Sequence, residues 1–368
     1  MDIRVNRTDL LRELGLARRL AERKATIPVY GYALLTPASD ALNLYATDGE
    51  SRFVTSCPVT MEQGGQALVP VRMLHEMLRQ SVADEVRLTQ DGQRVKVAGG
   101  SFRSTLQTLE ISDFPSMPET PKLEAMIGTA FLRAAIDRVR FVIEAGAVSP
   151  NQSYQHGALL DVTETVVALV STDGRRVAVA ETAHPGAAAA QALLPRKAVD
   201  DLAALLADAD ETEVTYAVDE VRAYFRIGRR LFATQLLAEK FPNYRRVVPP
   251  QKGEPEATVP RDLWLGAMRR VMLVSTEAAR RATLALSRDA VTVSMRAADI
   301  GDATEPVPAT VRGTAWEAGF DSACLTEFLE AAGTGDVRME QATPTSPAAF
   351  RSDADGVRYT YVLMPMSV

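Results

Sequence analysis

Residues 170–179 read VSTDGRRVAV, with Asp173 preceded by the hydroxyls of Ser171 and Thr172 and followed by Arg175 and Arg176. An acid beside two guanidiniums could move a proton on a bound substrate, so a hydrolase using Asp173 is one reading of the chain. A second acid, Asp48, stands in the echo YATDGESRFV at 45–54. Acid–base work needs a partner base, and no base recurs beside both copies. Asp-Gly is also the sequence of a tight strand-to-strand turn, in which the carboxylate bonds nearby N–H groups. The repeated loop is therefore expected to be architecture, not catalysis.

Other chemistry is absent from the pattern. His75, His156 and His184 each stand without neighbours at metal-ligand spacing, and Cys57 and Cys324 are far apart. No glycine-rich phosphate loop follows a strand. SDADG at 352–356 starts like a calcium loop but lacks the remaining ligands, and reads as a hairpin turn. The expectation is a protein that is not an enzyme and uses no metal or cofactor.

The elements that would carry these loops come in threes. Asp48 and Asp173 are separated by the same interval as Pro70 and Pro195, and DFPSMP at 113–118 is matched by KFPNYRRVVP at 240–249. A fainter third copy begins at TVPRDLWLGAMRRVMLV, 258–274, and lacks the TDG loop. A unit of about a third of the chain is too long for a solenoid repeat. The expected fold class is α+β, with three tandem homologous domains at 1–122, 123–252 and 253–368. Each would pack two helices on antiparallel sheets, the second helix opening on a proline in its first turn. Pro-rich stretches at 116–124 and 247–257 mark the junctions.

The formal charge of −6 over 368 residues argues against holding nucleic acid by overall basicity. A local basic face stays open. The three first helices share a bias: Arg12, Arg18, Arg19, Arg23 and Lys24; Arg133, Arg138 and Arg140; Arg269 and Arg270. Together they imply a shared positive surface that touches phosphates without reading bases. The acidic segments 200–213 and 299–305 are then expected elsewhere. No apolar signal core opens the chain and no run of about 18 apolar residues occurs, so a cytoplasmic location with no membrane contact is expected.

Taken together, VSTDGRRVAV, FPNYRRVVP at 241–249 and YVLMPMSV at 361–368, with DFP at 113–115 and PRK at 195–197, resemble the bacterial DNA polymerase III beta subunit family, the sliding clamps. The resemblance spans essentially the whole chain. It implies a head-to-tail homodimer closed into a six-domain ring, with helices lining a hole through which double-stranded DNA passes. It further implies a processivity factor that tethers the replicative DNA polymerase, meets a clamp loader, and takes repair polymerases and ligase through short peptide motifs. The implied peptide pocket comprises Thr172, Gly174, Arg175, Arg176 and Val177, with Pro242, Arg246 and Val247 on one side and Val362, Met364, Pro365 and Met366 on the other. Arg23, Lys24, Gln152, Tyr154, Arg133 and Arg138 would face DNA. Arg103 and Leu106 would meet Met272, Leu273, Asp299, Asp302 and Glu305 of a second copy at the dimer seam. Gln155 stands where the family generally has an apolar residue, the tail ends MPMSV, and GFDSACLTEFL opens the last helix atypically. These departures leave an alternative: a specialised paralogous clamp serving repair or inhibitor resistance, with altered partner preference.

Overall fold

The computed structural model describes residues 1–21, 27–117, 119–186, 188–250, 256–277, 279–312, 316–341 and 343–366. Among them one order of elements recurs three times: a short strand, a helix, four strands (five in the third repeat), a second helix and three strands. The helices are α1 (Arg7–Leu20), α2 (Val71–Gln80), α3 (Thr129–Val139), α4 (Arg196–Ala207), α5 (Arg261–Val271) and α6 (Ser322–Ala331). Helix α1 shows why these segments coil. Asn6 caps it, its side-chain oxygen accepting the Thr8 and Asp9 N–H groups at 2.9 and 3.2 Å. Leu10, Leu14 and Ala17 then fall on one buried stripe. The strands alternate instead, as in Ala41–Thr47, where Leu42, Leu44 and Ala46 are buried.

Two features differ from the sequence reading, and one agrees with it. Pro70 and Pro260 are helix N-caps, and Pro195 is the last residue of a strand, so each stands one step before the helix's first turn. A fixed φ near −65° suits a strand end as well as a helix start. Short strands at Asp2–Asn6, Ala125–Gly128 and Ala257–Pro260 precede the first helices. The SDADG segment is a hairpin turn, with Asp355 and Gly356 at φ 57° and 72° between strands 348–354 and 357–363.

The chain divides into two compact units, Met1–Thr129 with Asp200–Leu236, and Ala130–Val199 with Leu237–Val368. This division cuts through the second repeat because the sheets are shared. In the first unit, Ser51–Gln63 of the first repeat pairs antiparallel with Arg230–Gln235 of the second, Phe53 opposite Phe232. Beneath that junction α1 buries Glu13, which accepts Arg230 at 3.0 and 2.8 Å and the Thr55 hydroxyl at 2.7 Å. In the second unit, Arg176–Ala183 pairs with Val357–Leu363 of the third repeat, Val177 opposite Val362. The third repeat adds an aromatic core in which Phe328 stacks on Tyr361 with ring centres 5.0 Å apart, and Trp264, Phe320 and Phe350 close around it.

The acidic segments do not lie apart from the basic helices. Arg12 bonds Asp208 at 2.7 Å and Arg19 bonds Asp201 at 3.2 Å, both acids belonging to the 200–213 segment. Arg270 grips Glu305 with two nitrogens at 2.8 and 2.5 Å, and Arg269 meets Glu330. Arg140 pairs with Asp137. The expected positive surface is thus largely neutralised by carboxylates brought alongside it.

Candidate functional site

The TDG loop is a turn tied at every polar atom. The Thr172 hydroxyl donates to the Arg176 carbonyl at 2.7 Å and accepts the Gly174 N–H at 3.1 Å. One Asp173 oxygen accepts the Arg175 and Arg176 N–H groups at 2.9 and 3.0 Å, and the other accepts Arg176 Nε at 2.8 Å. Gly174 sits at φ +86°, where only glycine is unstrained. The earlier copy is the same device: Thr47 bonds the Ser51 carbonyl, Asp48 accepts the Glu50 and Ser51 N–H groups, and Gly49 is at φ +96°. Both aspartates hold turns, and Asp173 has no base in contact with it. The hydrolase reading falls on that geometry.

What separates the copies is Arg176. Its side chain is only 10% exposed, yet it carries Asp173 on one side and Glu327 of α6 on the other, at 2.8 and 2.5 Å. Its NH1 also donates to the Tyr361 hydroxyl at 3.2 Å, and the guanidinium lies 5.5 Å from the centre of the Phe141 ring. An arginine this well held is a wall. In the first copy the corresponding residue is Ser51, whose hydroxyl is spent on Thr234.

The chain's C-terminal strand borders this wall. Strand 357–363 runs beside 176–183, and beyond it the Met364 N–H donates to the Arg175 carbonyl at 3.1 Å. The Met366 N–H continues to Gly319 at 2.8 Å, fixing Met364, Pro365 and Met366 as an extended tail. Met364 and Met366 expose 47% and 38% of their surface, and Val247 exposes 51%. Pro242, Arg246 and Val247 come from the segment around a short helical turn, Tyr244–Arg246. That segment is anchored by Asp161, which accepts the Tyr244 hydroxyl and Arg245, both at 2.8 Å, and Gln191 at 2.9 Å. Burial raises the Asp161 pKa, but these donors outweigh it and leave the carboxyl below its ordinary value. Val177, Tyr154 and Val248 pack half-buried against Phe241 and Tyr244. Thr172 and Val362 are buried, so they support the surface from below.

Gln155 is buried as well, and its amide nitrogen would lie 3.0 Å from a Cβ placed on Gly174. A polar group thus stands behind the turn.

The residues implied for DNA contact and for the seam separate differently. Arg23 and Lys24 lie outside the described residues. Gln152 and Arg133 are exposed. Tyr154 is half spent on Phe241, their rings meeting edge-on at 5.8 Å. Arg138 is a correction: it is 3% exposed and bonds Asp355 at 2.8 Å and the Ala354 carbonyl at 3.2 Å, so it faces the interior. Leu106 is also corrected, being 5% exposed and part of its own core. Arg103 turns to the Gly100 and Phe102 carbonyls, and Glu305 is occupied by Arg270. Leu273 is 81% exposed, Met272 is half-buried, and Asp299 and Asp302 are exposed. The sequence reading missed Phe102, Met73, Met77 and Val82, which line a cleft of 420 Å³ beside Arg103. Met73 and Met77 lie in α2 and Val82 just after it, and the i, i+4 spacing of the two methionines was the available signal.

Among the described residues no group of three or more His, Cys, Asp or Glu side chains could hold a metal ion. No helix there is long and apolar enough to cross a membrane. His75 contacts Arg18 at 3.2 Å, and burial, with Arg18 second, lowers its pKa.

Comparison with known proteins gives one answer along the whole chain. Family profiles of the DNA polymerase III beta subunit match in order: the N-terminal domain at residues 1–118, the central domain at 126–243 and the C-terminal domain at 245–367. The beta sliding clamps of Pseudomonas aeruginosa and Caulobacter vibrioides are 31% and 29% identical, with all of both chains covered. Among solved structures, the P. aeruginosa sliding clamp bound to griselimycin superposes with a TM-score of 0.91 at 29% identity, and the sliding clamp of Caulobacter crescentus with 0.89 at 28%, each covering both chains fully.

Proposed function

The chain belongs to the DNA polymerase III beta subunit family and is a sliding clamp, the processivity factor of that polymerase; on this premise we propose that it works as a closed dimeric ring with one peptide-binding site per chain. It acts by binding, without turnover. The three repeats correspond to three domains, 1–122, 123–252 and 253–368. DNA, the polymerase and a clamp loader are its partners, and DNA is held by enclosure. Enclosure suits a chain of net charge −6 whose helix arginines are mostly paired, because sliding needs weak, unspecific contact.

Ring closure is supported by two open sheet edges. Strand Phe102–Gln107 ends one sheet and Gly301–Pro308 ends another. An unlike pair of edges joined head to tail makes a heterologous contact that closes when the rotation allows. The cleft lined by Phe102, Met73, Met77 and Val82 would receive Leu273 of a second copy. Arg103 opposite Asp299 and Asp302 would fix the orientation more than the affinity.

The peptide site rests on one observation: the Met364–Met366 tail is pinned beside the Arg175–Val177 turn and leaves Met364 and Met366 exposed, as Arg246 and Val247 are. Methionine adapts to different apolar side chains, so polymerase, ligase and repair polymerases could share the site through short motifs. Buried Gln155 behind Gly174 favours one further reading, a specialised clamp whose partner preference differs from the usual. The test is titration of a fluorescent peptide from the polymerase's clamp-binding segment against the full chain and a form ending at Leu363. Saturable binding that disappears on truncation is expected. Equal binding by both forms would remove the tail from the site.

A further inference from the structure

In the first unit, one face of the sheet gathers Arg52, Arg222 and Arg226. The face follows from the register. Tyr45 lies opposite Val54, Val54 opposite Leu231, and Leu231 opposite Arg226. In the next row Arg52 lies opposite Ala233, and Ala233 opposite Tyr224. Side chains alternate along a strand, and Thr55 points to the other face, where it bonds Glu13 of α1. Arg52, Val54, Leu231 and Arg226 therefore share the face turned away from α1. A cleft of 330 Å³ opens there, and Met117 and Thr120 of the connecting segment form its outer wall.

Neither Arg52 nor Arg226 makes a side-chain hydrogen bond or ion pair among the described residues. Arg222 lies on the same face, and its Nε is buried without a partner. Arg229, at the rim, leans to Glu13 at 3.5 Å. Asp219 accepts the Val221 and Arg222 N–H groups and the Tyr224 hydroxyl, and its charge lies near that of Arg222. Burial, and then the charge of Arg222, make Arg52 hold its proton less tightly than usual. The more deeply buried Arg230 and Arg351 carry carboxylates instead.

We propose that this cleft binds a small organic phosphate, its phosphoryl oxygens between Arg52 and Arg226 and its ring-sized apolar body against Tyr45, Val54, Leu231 and Met117. Two guanidinium forks with a third cation near them suit a dianion with several acceptor oxygens. The volume is that of a small-ligand pocket, and Met117 and Thr120 add to its lining. The site lies in a different unit from the peptide surface, and its existence does not depend on the clamp reading.

The test is calorimetric titration of the full chain with phenyl phosphate, inorganic phosphate, phenol and an acidic peptide. Phenyl phosphate should saturate one site per chain, bind more tightly than inorganic phosphate, and leave phenol without measurable heat. Arg52→Gln and Arg226→Gln should each weaken it by roughly tenfold or more, and Arg52→Lys by less. Because Arg52 has no partner to lose, Arg52→Gln should melt no lower than the parent protein, which separates lost binding from lost fold. Failure of phenyl phosphate to saturate, or binding unchanged in both glutamine variants, would overturn the proposal. So would an acidic peptide that binds the cleft more tightly than phenyl phosphate.

Discussion

Arg176 and Glu327 meet at 2.5 Å, so a hairpin of the second repeat and helix α6 of the third are joined through one nearly buried guanidinium. The same group closes the TDG turn through Asp173 and touches Tyr361. The wall of the peptide surface and the junction of two repeats are therefore one structure.

Replacing Arg176 by alanine should affect both. It strands Asp173, whose side chain is 7% exposed, and empties a cavity beside Phe141. A destabilisation of about 3 kcal/mol is expected from breaking a buried pair on one side. Chemical denaturation would measure it. Glu327→Gln, at the more exposed end, should cost far less while weakening peptide binding only slightly. Equal losses in the two variants would refute the distinction.

Asp161 supplies a pH dependence. Its carboxyl titrates below the ordinary value of 3.8 in the folded chain, because the Gln191, Arg245 and Tyr244 donors outweigh burial. A depressed carboxyl pKa contributes stability that is fully present above the unfolded value and is lost as pH falls through the folded one. The melting temperature of the parent protein should therefore fall on acidification below about pH 4. Asp161→Asn should start lower at neutral pH and lose less between pH 5 and 3. A variant with the parent's acid slope would show that Asp161 is not the group concerned.

Leu273 tests the ring. At 81% exposure it supports nothing within its own chain. Leu273→Asp should leave thermal stability at low concentration unchanged within about 0.5 kcal/mol. In sedimentation it should shift the protein to a monomer. A dimer of parental strength would place the seam elsewhere.

Gly174 and Gln155 form a coupled pair behind the turn. Gly174→Ala forces a side chain into φ +86° and against the Gln155 amide, and should cost about 1–2 kcal/mol. Gln155→Leu alone should tighten peptide binding several-fold if the glutamine sets partner preference. Unchanged affinity would assign it a purely structural role.

How far the sequence could be read depended on the range of each signal. The turns at Asp48 and Asp173, the hairpin at 352–356 and the threefold order of elements are local patterns, and all were legible. The strands before the first helices span four or five residues, too few to show alternation. Charge pairing was invisible for another reason. Arg12 and Asp208 are 196 residues apart, and Arg138 and Asp355 are 217 apart. A run of arginines on a helix reads as a basic face until the chain returns with its carboxylates. The peptide surface was reached only through a family resemblance, because nothing local says that the end of strand 357–363 lies beside residue 176. The arginines at 52 and 226 gave no signal either, since their neighbourhood exists only in the register of three strands.

Sharing sheets between repeats also sets a timetable for synthesis. Strand 51–63 is finished by the ribosome long before its neighbour 230–235 is made, and at about 5–20 residues per second the delay is roughly ten to thirty seconds. Through that interval its first residues, Ser51–Val54, present bare amides and carbonyls on one side, and Glu13 waits without Arg230. The nascent first repeat is thus an incomplete object, open to mispairing with another nascent chain. Cells making this protein have reason to shield that edge until the second repeat arrives.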